Sequence, residues 1–446
     1  MLKPKSSPVS TPQAEQPYKV PYNWRWVNIG DISTLYRGVS YEKKEARAVK
    51  GENDILILRG GNIGEGYIDT DADNVYVNRS LVDKDQMIQK HDVVIVGSTG
   101  SKKVIGRAGI SDRNYQDVAF GAFLILVRPQ EMVNPQYFDY YFLSDSYRNR
   151  IRELAKGINI NNVRVNYITQ TAIPFPPLAE QQRIVDRIDG LFAKLDAAQE
   201  KAQAVLDGYE LRKAAILHRA FTGELTAEWR KTHNHTNDSW KTLKFCDVAE
   251  VKSNLVNPLE FPHYPHIAPD NIEKRSGILL SYHTIREDGV TSNKHRFYAG
   301  QILYSKIRPY LSKVIVADFD GLCSADMYPI EPKEGLDAFY LWYYMLSNEF
   351  LYQASTAGSR SLLPKINQKE LSRISIRITD IEEQKEIVSM LNSHFDKERR
   401  IKNMAKQVID RIEMMKKAIL GRAFRGELGT NDPAEKCPEI ANLRTN

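Results

Sequence analysis

The chain has 446 residues, 42% of them hydrophobic and 26% charged, with a net charge of +6 at pH 7. This ordinary globular usage excludes a fibrous or largely disordered chain, the length suits roughly two to four domains, and no apolar run approaches the ~18 residues of a membrane span. Three widely spaced cysteines, Cys246, Cys323 and Cys437, do not make a disulfide framework or a zinc ribbon.

Residues 1–17 hold four prolines and no apolar core, so a flexible N-terminal tail and a cytoplasmic protein are expected. Residues 18–176 read as a mixed α/β domain. Apolar and β-branched runs predict strands at Ile55–Leu58, Asp92–Val96 and Phe123–Val127, and an aromatic-rich helix over Pro135–Leu154. The tyrosines of that helix suit a core better than a base-stacking platform. Loops between these elements carry candidate DNA contacts: Arg59 and Asn62, then Ser98, Thr99, Ser101, Lys102 and Lys103, then Arg107. Lys and Arg reach phosphates and guanine edges, and Asn can pair with adenine. Asn159 and Asn161 stand in a polar loop led by Gly157. Solvated surface and plain turns are the competing readings for all of these.

Residues 177–229 form a central helical region with no proline after Pro177. A 4-3 spacing runs through Ile184, Ile188, Leu191, Leu195, Val205 and Ile216, the seam of a coiled coil. Gly223 suits a helix C-cap. Residues 230–379 are a second mixed domain, with strands expected at Gln301–Tyr304, Val314–Ala317 and Ser375–Ile378 and a helix at Asp337–Ala354. Its candidate DNA contacts are Lys294, Arg296, Lys306, Arg308, Tyr310, Lys313, Ser359 and Arg360. Its histidines, His266 among them, lack a third ligand type and read as solvent-exposed. Each domain carries a net charge of only +3, so any DNA footprint is a local patch.

Residues 380–428 are a distal helical region, followed by a C-terminal tail, 429–446. Sliding the chain by 203 positions lays Pro177–Leu225 on Asp380–Leu428, with 20 of 49 positions identical. The seam returns as Ile387, Leu391, Ile401, Val408, Ile412 and Ile419, interrupted by His394 and Glu398. The identities cluster at Glu180-Gln181 on Glu383-Gln384 and around Phe221 on Phe424, which marks these residues for helix pairing or partner docking. The expected fold class is α/β (α+β): two globular mixed domains joined by two long helices forming a coiled coil, antiparallel given the span of the domain that links them, a pseudo-twofold internal repeat; the competing reading packs each helix on its own domain as an ordinary amphipathic helix. No catalytic constellation appears. There is no Gly-Lys for a phosphate loop, no Asn/Asp-Pro-Pro-Tyr, no His-Glu-x-x-His and no Gly-x-Ser-x-Gly.

Two segments carry a resemblance. Pro176-Pro177-Leu178-Ala179-Glu180-Gln181-Gln182-Arg183-Ile184-Val185, with Leu217-His218-Arg219-Ala220-Phe221-Thr222-Gly223-Glu224-Leu225, resembles the central conserved region of type I restriction–modification specificity subunits. The copy ending Ala423-Phe424-Arg425-Gly426-Glu427-Leu428 resembles their distal conserved region, although Thr379-Asp380-Ile381 stands where the family usually has Pro-Pro-Leu. The resemblance implies a non-catalytic subunit whose two target-recognition domains, 18–176 and 230–379, each read one half of a bipartite, asymmetric site in double-stranded DNA. It implies helices that set the spacer and dock two adenine methyltransferase (modification) subunits and, through them, restriction/translocase subunits. S-adenosylmethionine, ATP and magnesium would belong to those partners, with no cofactor or metal on this chain and no membrane. A self-contained DNA-modifying enzyme and a coiled-coil scaffold without DNA binding are the alternatives.

Overall fold

The computed structural model describes residues 17–101, 104–155, 163–357 and 364–437. The chain divides into two compact units: residues 1–201 with 408–446, and residues 202–407. Each unit holds one globular domain, part of the first long helical region and part of the second.

In the first unit, four antiparallel strands run in the order Ser33–Arg37, Leu124–Pro129, Val93–Val96, Ala108–Ile110. A second sheet places Asp54–Leu58 between Tyr76–Asn78 and Val118–Phe120, the last pairing being parallel. Leu56, Leu58, Val94, Val96, Phe120, Leu124 and Leu126 close a core between the sheets. The second unit repeats the plan with Ala249–Val251, Met327–Pro332, Ile302–Ser305 and Val314–Val316 in one sheet. Its other sheet has five strands, Leu255–Val256, Lys294–Phe297, Gly321–Cys323, Pro265–Ile267 and His283–Thr284. In both domains a two-stranded ribbon, Arg25–Asn28 on Ala172–Phe175 or Lys241–Lys244 on Ser375–Ile378, leads into a long helix.

The expected strands are present, with ends shifted by one or two residues. Phe123 is an exception of consequence: the strand begins at Leu124 and leaves Phe123 in the preceding turn. Each aromatic helix is two helices, Pro135–Leu143 with Asp145–Ala155, and Ala338–Met345 with Asn348–Ala357. The breaks fall at Ser144 and Ser347, whose hydroxyls accept from the backbone N–H three residues on, at Tyr147 and Phe350. A serine in that role starts a new helix.

The first long helical region runs Leu178–Asp207 and Tyr209–Thr222, with only Gly208 between the two helices; the second is unbroken from Ile381 to Phe424. Pairing is antiparallel. In the first unit Ile184, Val185 and Ile188 share a core with Leu420, Ala423 and Phe424, and Lys416 reaches Asp196 at 2.6 Å. In the second, Leu217, Ala220 and Phe221 pack with Ile387, Leu391 and Phe395, and Arg212 reaches Glu398 at 2.9 Å. Glu398, which interrupts the apolar pattern, is thus half of an interhelical ion pair.

The register departs from a strict heptad. The sheltered face of the second helix runs through residues 387, 391, 395, 398, 402, 405, 409, 412, 416, 420 and 423. That face follows the ~3.6-residue period of a straight helix rather than the 3.5 of a supercoil. A strict 4-3 count drifts off it, so Ile401 and Val408 are 43% and 41% exposed, whereas Ala405 and Ile412 are buried. Phe424 stacks edge-on against Tyr137 and Tyr141, and Phe221 does the same against Tyr340 and Tyr344. All four of these tyrosines donate to carbonyls of the ribbon strands, of Pro174 and Ala172 in one unit and of Arg377 and Ser375 in the other. They are core, as their spacing suggests.

Candidate nucleic-acid interface

At one edge of the first domain, the strands Asp54–Leu58 and Val93–Val96 end and Leu124–Pro129 begins. The chain leaves the first of these strands through the turn Gly60–Asn62. Asn62 is fully buried there. Its Oδ1 accepts from the Arg59 N–H at 2.7 Å, and its Nδ2 donates to the carbonyls of Asp69 and Ala72. The second domain has the same turn at Pro269–Asn271, where Asn271 accepts from the Ala268 N–H and donates to the Ser281 carbonyl. Asn62 is therefore a turn lock and not a base reader: both ends of its amide are consumed.

The basic candidates sort in the same way. Arg107 donates to the Gly60 carbonyl at 3.3 Å, and Lys313, at the matching place in the second domain, donates to Pro269 at 2.7 Å. Both buttress the turn. Lys306 donates to the Ala325 carbonyl, lies over the Tyr328 ring and sits near Asp326; burial and the neighbouring Lys365 lower its ammonium pKa. Lys294 is 6% exposed, bonds to Ser292, and is also lowered by burial. Its charge is spent inside the fold, which removes it as a surface contact. Arg296 is held among the rings of Phe261, Tyr264 and Tyr298. His266 is buried, not solvated, with Nδ1 2.7 Å from Asp288.

The residues left presenting side chains outward are few. Arg59 is exposed and pairs loosely with an equally exposed Asp73 at 3.1 Å. Ser98 and Thr99 are half-buried, and Ser101 is exposed. Arg308 is exposed, held at φ +48° in the left-handed region, and Tyr310 beside it is 42% exposed. Lys102, Lys103, Asn159, Asn161, Ser359 and Arg360 lie outside the described residues. Sequence reasoning passed over Phe123, which is 71% exposed at this edge. The Gly121-Ala122 pair before it, a turn signal, could have taken it out of the strand.

The helix residues divide too. Glu180, Gln181, Glu383 and Gln384 are all fully buried, so they face no external partner. Glu180 accepts from Thr430 Oγ1 and the Asn431 N–H, holding the segment after the second helix. Glu383 accepts from Thr226 Oγ1 and Arg230, holding the segment after the first. Gln181 accepts from the Asn134 N–H and donates to the Pro176 carbonyl. Gln384 accepts from the Asp337 N–H and donates to Thr379 and Gly335. Asn134 and Asp337 cap the two aromatic helices, so each glutamine ties a long helix to its domain. Ile184, Ile188, Ile387, Leu391, Ile412, Phe221 and Phe424 are buried, and Leu191, Leu195, Val205, Ile216 and Ile419 are half-buried.

Comparison with known proteins agrees with this architecture. Residues 21–206 and 237–411 match the family described as type I restriction modification DNA specificity domain. The EcoDI specificity subunit of a type I restriction enzyme from Escherichia coli is 34% identical over 439 residues, covering 94% of this chain and 91% of that protein. The StySPI specificity subunit from Salmonella potsdam is 27% identical, covering 94% and 92%. Among solved structures, the HsdS subunit from Thermoanaerobacter tengcongensis superposes with a TM-score of 0.57 at 19% identity, covering 93% of this chain and all of that one. A chain from a study of complex assembly and conformational transition of the type I R-M system gives 0.66 at 19% identity, covering 92% and 100%. The duplicated sheet domains, the paired helices and the twofold match along the sequence place this chain in the type I restriction–modification DNA specificity family, as a specificity subunit that recognises a DNA target.

Proposed function

We infer that residues 18–176 and 230–379 each read one half of a bipartite DNA site. One observation carries this reading. The two domains share a locked frame at the same edge, down to the Asn62 and Asn271 amides, but differ in what that edge presents. Arg59 stands where the second domain has Ala268, and Phe123 where it has Asp326. A common scaffold with different side chains at equivalent loops suits two different half-sites.

The long helices set the separation of the half-sites and present surface to two adenine methyltransferase subunits, with restriction subunits joined through those. The exposed apolar side chains of Ile401 and Met404 on the second helix support such docking. S-adenosylmethionine, ATP and magnesium belong to the partners, and this chain contributes recognition without catalysis, in the cytoplasm. Mapping methylated adenines in a genome that carries this protein and its partners tests the reading. A single split, asymmetric motif is expected. A continuous motif, or methyl transfer by the purified chain alone, would overturn it.

A further inference from the structure

The turn between the strands Val118–Phe120 and Leu124–Pro129 holds an apolar ring out of the domain. Phe123 is 71% exposed, while Phe120 and Leu124 on either side are 0% and 1%. The backbone beneath it is pinned from three directions. Gly97 and Ser98 both donate to the Phe123 carbonyl at 3.0 Å, Gly121 donates to Leu58, and Ala122 donates to Val39. Gly38 passes so close that a Cβ there would lie 2.1 Å from the Gly121 oxygen, so only glycine lets the strap Gly38-Val39 hold the turn. The backbone that carries this ring is fixed by four hydrogen bonds, and a pinned backbone cuts the ordering cost of a contact.

Its surroundings suit DNA. The Ser98–Ser101 loop is bonded directly to it, and Arg59 leaves the adjacent strand. The equivalent turn of the other domain argues that the ring serves one half-site only. There Lys306 donates to the Asp326 carbonyl at 2.9 Å, as Gly97 does to Phe123. Asp326 turns its carboxylate toward Lys306 and Lys365. The same pinned turn thus carries an exposed aromatic ring in one domain and an acid in the other.

Resting on the reading that the 18–176 domain contacts DNA, we propose that Phe123 inserts its ring against a base step of the half-site that domain reads. Apolar side chains at such positions unstack a step and stack on the freed base. The acid at the matching turn leaves the other half-site stacked.

The test uses the full chain assembled with its methyltransferase partners, on duplexes of the mapped site. 2-Aminopurine is placed in turn at each position of each half. Apart from the target adenine that each methyltransferase flips out of the stack, wild-type complex is expected to raise fluorescence at one further step of the first half and at none in the second. Phe123→Ala should abolish that rise and weaken binding by roughly tenfold, and Phe123→Trp should restore binding. If the wild-type complex binds no duplex, the DNA reading itself fails. If it binds but unstacks nothing beyond the flipped adenine in that half, or Phe123→Ala behaves as wild type, the wedge is overturned and the DNA reading stands. If Phe123→Ala instead lowers subunit assembly with unchanged fluorescence per bound complex, the ring contacts a protein partner and the wedge is again overturned.

Discussion

Arg59 and Asn62 lie three residues apart, and both are residue types that touch DNA, yet they have opposite fates. Arg59 leaves the turn for solvent, and Asn62 closes it. Asn62→Ala removes a buried side chain and orphans the half-buried Arg59 N–H and two carbonyls, which is expected to cost about 1–3 kcal/mol in chemical denaturation. Arg59→Ala should change stability by less than ~0.5 kcal/mol. In the assembled complex it should weaken DNA binding and lower the salt slope by about one. A salt slope unchanged by Arg59→Ala would remove it from the phosphate contacts. Residue type and loop position pick out both side chains equally. Only the fold of the turn shows that one amide is saturated, and the matching Asn271, 209 positions on, is a signal that sequence alignment of the two domains can reveal. Lys294 was hidden for the same reason: its burial depends on a five-strand sheet whose order no local pattern states.

At the level of elements, the repeated motifs prove to be joints. Glu180-Gln181 and Glu383-Gln384 are repeated because each glutamate anchors the segment after the opposite helix and each glutamine fastens a helix to its domain. The pairing, its antiparallel sense and the helix ends were legible from spacing, with Gly223 and Gly426 taking the left-handed C-cap conformation at φ +85° and +78°. The seam register was not, because over 36 residues a 3.5-residue count and a 3.6-residue helix part by about one position. The tail offers a check on the glutamate joint. Cys437 is buried against the Phe175 carbonyl, and burial pushes its thiol up to about 11; Cys323 is pushed up to about 12. The thiolate is the reactive form, and a raised value leaves both as neutral thiols at pH 8. In native protein iodoacetamide should therefore label exposed Cys246 and spare the other two. Glu180→Ala should release the segment around Thr430 and Asn431 and speed labelling of Cys437, with Cys323 still protected. Equal protection of Cys437 in that variant would show that the glutamate does not hold the tail.

For the whole molecule, the duplication is the organising fact, and the amino-acid sequence displays it directly. In the proposed function, helix length sets the DNA spacer. Removing seven residues from each helix shortens it by about 10 Å and turns the buried face by only ~20°. The methylated motif should then lose about three base pairs of spacer, at ~3.4 Å each, with both half-sites unchanged. An unaltered spacer would sink the ruler. The most direct measurement of the central claim is a domain exchange. Residues 230–379 are replaced by the corresponding domain of a relative with a different target, and methylated adenines are mapped in the resulting strain. One half of the motif should change and the other remain. A change in both halves, or in neither, would contradict the assignment of one half-site to each domain.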